Sequence, residues 1–235
     1  MKKIGFLLFL VALVIGIAFS GAFSFGLGPK GDFSFALFKG VTGSGNIETA
    51  KRDVADFDRL EVSGVFDVEV TRGDAYSVEV TADDNILPLI RTEVDDRTLS
   101  IFADAKISKS SKLRVVITAP NIEYAETSGV SKLVLNDVSN ESLSLRASGA
   151  SSITASGTTG SLSVDISGAS KAESSKLSAK RATVETSGAS NACINATDAL
   201  DAHASGASHI KYIGSPGSLE MDRSGAATIS QQSAN

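Results

Sequence analysis

The feature that most constrains this chain is a repeat. Ser-Gly-(Ala/Val)-(Ser/Ala) recurs as Ser128-Gly129-Val130-Ser131, Ser148-Gly149-Ala150-Ser151, Ser167-Gly168-Ala169-Ser170, Ser187-Gly188-Ala189-Ser190, Ser205-Gly206-Ala207-Ser208 and Ser224-Gly225-Ala226-Ala227. The glycines are spaced by 20, 19, 20, 18 and 19 residues. Self-similarity at such a period marks a stacked array of structural units. Each unit also alternates apolar and polar residues on both sides of the motif. Before it stand Leu143, Leu145 and Ala147, then Leu162, Val164 and Ile166, then Ala182, Val184 and Thr186, then Leu200, Ala202 and Ala204. After it stand Leu133 and Leu135, Ile153 and Ala155, Ala172 and Ser174, Ala192 and Ile194, and Ile210 and Tyr212. A period of two predicts strands, with these residues facing inward.

A unit whose strands each offer only two or three small apolar side chains cannot close a core alone, so the units must stack and pair backbone to backbone. The expected fold is therefore all-β: a β-solenoid, specifically a right-handed parallel β-helix, with 19-20 residues per coil in the C-terminal half. Gly129, Gly149, Gly168, Gly188, Gly206 and Gly225 mark its corners, where a side chain would clash or φ must be positive. Ser63-Gly64-Val65 reads as an early corner, 65 residues before Gly129, with longer and irregular coils between. Alternation in that stretch places Leu60, Val62, Val68, Val70, Val78, Val80, Leu99, Ile101, Leu113, Val115 and Ile117 inward. A β-propeller would want blades of about forty residues and more aromatics than the 6% found here.

Met1-Lys2-Lys3, an uncharged run from Ile4 and the small residues Ala18 and Ser20 have the pattern of a signal peptide over residues 1–20. The uncharged run continues to Gly28, long enough for an uncleaved membrane anchor, so both readings stand. Residues 21–40 form a Phe-rich linker and 41–235 the repeat domain. Both readings predict an exported protein in the periplasm, outer membrane or cell surface. Cys193 is the only cysteine, so no intramolecular disulfide is available, and its neighbours Ala192 and Ile194 direct its thiol outward with Glu173 and Lys211. A formal net charge of −5 without a basic cluster argues against a nucleic-acid partner.

Val41-Thr42-Gly43-Ser44-Gly45-Asn46, the run Phe57-Asp58-Arg59-Leu60-Glu61-Val62-Ser63-Gly64-Val65-Phe66-Asp67-Val68, Ala119-Pro120-Asn121 and the serial corners together resemble the putative autotransporter adhesin, head GIN domain family. The resemblance covers roughly residues 41 to 232. It implies a right-handed β-helix shaped like the pectin lyases, an envelope or surface location and a role in adhesion, with no catalytic residues to carry over.

Two positions before each motif serine stand Glu126, Arg146, Asp165, Glu185, His203 and Asp222, an outward column in which Asp165 and Glu185 occupy adjacent coils. At the spacing of stacked strands in water their repulsion is only about 0.8 kcal/mol, which a solvated face tolerates without a cation. His203 and His209 flank one corner but have no third ligand at a zinc-binding spacing. The repeated serines have no base beside them, and Gly43-Ser44-Gly45 is too short for a phosphate loop. Arg72-Gly73-Asp74 falls at a turn, and Asn140-Glu141-Ser142 and Asn195-Ala196-Thr197 match a glycosylation pattern. These readings predict a non-enzymatic exported scaffold without catalytic residues, cofactor or metal, binding an unidentified glycan or envelope protein, or a second copy of itself. The alternatives are a polysaccharide-acting β-helix enzyme and a membrane-tethered envelope-stress or signalling accessory. Arg223 stands where earlier coils point Ala147, Ile166, Thr186 and Ala204 inward, the position of a charged cap against end-to-end association.

Overall fold

The computed structural model describes residues 40–110 and 112–232. The signal-peptide and anchor readings lie outside the described residues. The first half contains β1 (Val41–Thr42), β2 (Ile47–Arg52), β3 (Arg59–Gly64), β4 (Asp67–Arg72), β5 (Ser77–Asp83), β6 (Ile90–Asp95), β7 (Thr98–Ala103), β8 (Ile107–Lys109) and β9 (Leu113–Ala119). The second contains β10 (Tyr124–Gly129), β11 (Lys132–Ala147), β12 (Ser152–Ile166), β13 (Lys171–Thr186), β14 (Asn191–Ala204), β15 (His209–Ile213), β16 (Ser218–Arg223) and β17 (Thr228–Gln231).

From β10 onward the chain is a parallel β-solenoid in which equivalent residues stack. Leu145 pairs with Val164, Val164 with Val184 and Val184 with Ala202, and all four are buried. Every inward position read from the alternation before and after the corners is buried through Tyr212. Coils of unequal length are accommodated by irregularities in the wall rather than at the corners. Between β13 and β14 the register jumps from Ser174↔Ile194 to Ser178↔Asn195, which absorbs residues 175–177 of the longer coil.

The corners show why glycine recurs. Gly129, Gly149, Gly168, Gly188, Gly206 and Gly225 hold φ between 73° and 80°, and each approaches the glycine one coil below. A Cβ on Gly168 would lie 2.6 Å from the carbonyl oxygen of Gly149, the same oxygen that accepts the amide of Ala169 at 2.8 Å. Left-handed conformation and backbone contact thus select glycine together. The closing serine of the first five motifs, Ser131, Ser151, Ser170, Ser190 and Ser208, is buried, which the alternation did not indicate. Ser151, Ser190 and Ser208 donate their hydroxyls to the carbonyls of Ser148, Ser187 and Ser205 at 2.8–2.9 Å, closing each corner on itself. These small polar side chains are satisfied by backbone rather than by one another.

Between Gly64 and Gly129 the coils are longer and irregular as expected, with one correction: no coil lies between the two glycines, because Gly129 stacks directly on Gly64. The intervening chain pairs β7 with β3 and β9 with β4 in parallel on the other side, and adds antiparallel pairs, β5 with β2 and with β9, and β6 with β7. The β6–β7 turn places Asp96 and Arg97 at φ 42° and 62°, the geometry of a tight hairpin normally signalled by glycine or asparagine. No glycine stands there to announce it. This region packs Phe57, Phe66, Ile86, Leu99 and Ile117 into its core and closes the end, where Arg52 Nη2 donates to the carbonyls of Leu87 and Ile90 at 3.1 and 3.3 Å. Gly43-Ser44-Gly45 is part of this closure. The Gly45 amide and the Ser110 hydroxyl donate to the buried Asp83 carboxylate, and a Cβ on Gly43 would lie about 2.5 Å from the same group.

The opposite end is open. Arg223 pairs in register with Ala204 as expected, but among the described residues no coil covers it, and its inward-set neighbours Leu219 and Met221 are 42% and 50% exposed. The charge therefore stands at the rim of an uncovered core instead of being buried within it.

Candidate functional site

Two outward faces meet at the glycine corners, and they differ in charge. The face before the corner carries the column Glu61, Glu126, Arg146, Asp165, Glu185, His203 and Asp222, in continuous register. Its members engage their neighbours. The Tyr124 hydroxyl donates to the Glu126 carboxylate, Arg59 stacks 4.3 Å above the Tyr124 ring, and Arg146 lies 4.0 Å from Asp165. Burial, then the Glu126 carboxylate, pushes the Tyr124 hydroxyl up to about 12, so it remains a proton donor in this network. His203 Nε2 lies 2.9 Å from Asp201 Oδ1, one strand position away on the same face. His209, on the far side of the corner, belongs to the other face. Among the described residues, no three His, Cys, Asp or Glu side chains converge as a metal site requires.

The face after the corner carries a groove of about 720 Å³ across β13, β14 and β15. Strand pairing sets Lys171, Asn191 and His209 in one outward column and Glu173, Cys193 and Lys211 in the next. Lys176 and Asn195 line its far edge. Glu173 is its one acid. Burial pushes that carboxyl up, but the Ser175 hydroxyl at 2.6 Å and Lys171 at 3.3 Å more than offset this and hold it below the usual carboxylate value. Cys193 faces outward in the expected register but is half-buried on the floor. Burial, followed by the Glu173 carboxylate, pushes its thiol up, so it is a poorer nucleophile than its outward direction alone suggests. The alternation sets Lys211 outward beside Cys193 but does not reveal the groove, because its lysines occupy different columns. Only the register brings Lys171, Lys176 and Lys211 together.

The remaining motifs have local structural partners. Arg72 Nε donates to the Pro120 carbonyl and the Gly73 amide to Ala119, which builds Arg72-Gly73-Asp74 into the turn after β4. The side-chain amides of Asn140 and Asn195 donate to the carbonyls of Ile122 and Ser175 from half-buried positions. Among the described residues no helix is long and apolar enough to cross a membrane.

Residues 56–216 match the family described as putative auto-transporter adhesin, head GIN domain. Solved structures share the fold at low sequence identity. A putative adhesin from Bacteroides fragilis superposes with a TM-score of 0.68 at 21% identity, covering 82% of this chain and 100% of that one. A putative adhesin from Parabacteroides merdae gives 0.52 at 18% identity, covering 82% and 98%. A putative lipid binding protein from Parabacteroides distasonis gives 0.51 at 19% identity, covering 82% and 99%. No curated protein matches the sequence.

Proposed function

Since the chain belongs to the putative auto-transporter adhesin, head GIN domain family, we propose that it is an exported surface scaffold that binds its partner without transforming it. The observation that supports this most is the distribution of its ionisable groups. They stand at fixed rungs on the outside of a rigid stack, and several are engaged by neighbours, as Arg146 is with Asp165 one coil away and Lys171 with Glu173 on the same strand. Catalysis requires a nucleophile or base beside a second group that activates it. The last serines of three motifs, Ser151, Ser190 and Ser208, instead close corners through backbone carbonyls. A solenoid of this kind offers an extended surface whose outward residues vary without disturbing the core.

The test is capture of envelope glycans and proteins on the immobilised protein, with the length of every retained polymer measured before and after incubation. The scaffold reading expects retention at unchanged length. New chain ends accumulating in proportion to protein would overturn it in favour of a polysaccharide-acting enzyme.

A further inference from the structure

We propose that the groove across β13, β14 and β15 binds a carboxylate-bearing polysaccharide along its rungs. The inference rests on the scaffold reading and names its site and ligand class. In a protein of net charge −5, three lysines, Lys171, Lys176 and Lys211, converge with His209 on this one surface against a single acid. That acid, Glu173, is already engaged by Lys171 and Ser175. Successive rungs of a parallel stack are about 4.8 Å apart, so cationic and amide side chains recur at an interval close to the advance of an extended sugar chain. Two of the lysines stand on β13 and one on β15, with none on β14, and Glu173 offsets one of them, which leaves a net of about two positive charges over three rungs. This density suits a polymer with one carboxylate per sugar better than a more densely charged polyphosphate.

The rest of the lining points away from other macromolecules. Among the described residues the groove lining has no Phe, Tyr or Trp ring, the platform on which the bases of single-stranded nucleic acids stack. Nor does it offer the central aromatic or arginine anchor that dominates protein interfaces. Asn191 and Asn195 supply both donors and acceptors, the complement of sugar hydroxyls.

The experiment measures binding of polygalacturonate, neutral dextran of similar length and polyphosphate to the purified chain, with Cys193 labelling as a second readout. Polygalacturonate should bind, slow the labelling of Cys193 and dissociate as salt screens the lysines. Lys171→Glu combined with Lys211→Glu should weaken binding at least tenfold at unchanged circular dichroism and melting temperature. Arg146→Glu on the other face should change it less than twofold. Three outcomes overturn the proposal: equal binding by the lysine variant, equal binding of dextran, or tighter binding of polyphosphate. In each the scaffold reading stands, because it fails only if captured polymer is cut. Loss of fold in the double variant would shift the decision to Lys211→Gln and to the protection of Cys193 in the unsubstituted chain.

Discussion

The two halves of this solenoid fill the same kind of core in opposite ways. Residues 41–119 use large side chains, antiparallel hairpins and side-chain ties such as Arg52 to the Leu87 and Ile90 carbonyls. The coils from β10 onward use alanine, valine, leucine and serine in register, with the backbone held by a column of left-handed glycines. The first arrangement seals an end and tolerates irregular connections. The second repeats, and its outward positions are left free to vary. The basic groove lies in the second, across coils whose inward residues stack in register and whose corners are fixed.

The sharpest way to break this contrast is at the glycines. Gly168→Val places a side chain against the Gly149 carbonyl and forces a β-branched residue to positive φ, and should cost of order 4 kcal/mol or more. Gly45→Ala, at φ 94° with open space around it, should cost only about 1–2 kcal/mol. Ser163→Val, on an outward strand position, should change stability by no more than about 0.5 kcal/mol. Equal melting temperatures for the three variants would remove the glycine column as the basis of the repeat.

The open end offers a second comparison with the sealed one. Arg223→Leu extends the exposed Leu219 and Met221 surface and should promote association through the uncovered coil at unchanged secondary structure. Sedimentation at rising concentration would show it, and a variant that remains as monomeric as the parent would show that the end does not depend on Arg223. A smaller effect concerns the core of β13, where the buried Ser174 hydroxyl has no hydrogen-bond partner. Ser174→Ala should stabilise the fold by about 1 kcal/mol, read as a higher denaturant midpoint. A destabilised variant would mean that the hydroxyl is satisfied in solution. Smallest is the behaviour of Cys193. With its thiol pushed up by burial and Glu173, it should be labelled more slowly than a free cysteine, faster as pH rises, and at the free rate once unfolded. Labelling at the free rate in the folded protein would place the thiol outside the groove.

What the sequence disclosed follows from what is periodic. Alternation located the inward residues of the regular coils, and the spacing of Gly129 through Gly225 marked the places where φ proves positive. It marked Gly64 as a corner as well, but set irregular coils between it and Gly129, whereas the register stacks the two glycines directly. It did not disclose the hairpin at Asp96 and Arg97, because those residues enter left-handed geometry without the glycine or asparagine that usually signals it. Nor did it disclose the groove. Lys171, Lys176 and Lys211 belong to three different positions of the repeat, and the irregularity after Ser174 decides that Lys176 joins the other two. A property of neighbouring rungs becomes visible only once the register is known.

The glycine-cornered coils form one rigid platform, and the outermost strands are its margins. Amide hydrogen exchange resolved along the chain tests this most directly. Because β11 to β14 pair on both sides, their amides should exchange slowest and together, through a shared opening close to global unfolding. The margins β2, β6, β16 and β17 should exchange fastest. Exchange in β13 and β14 as fast as in β16 and β17, with slow exchange confined to the large-residue core of the first half, would contradict it.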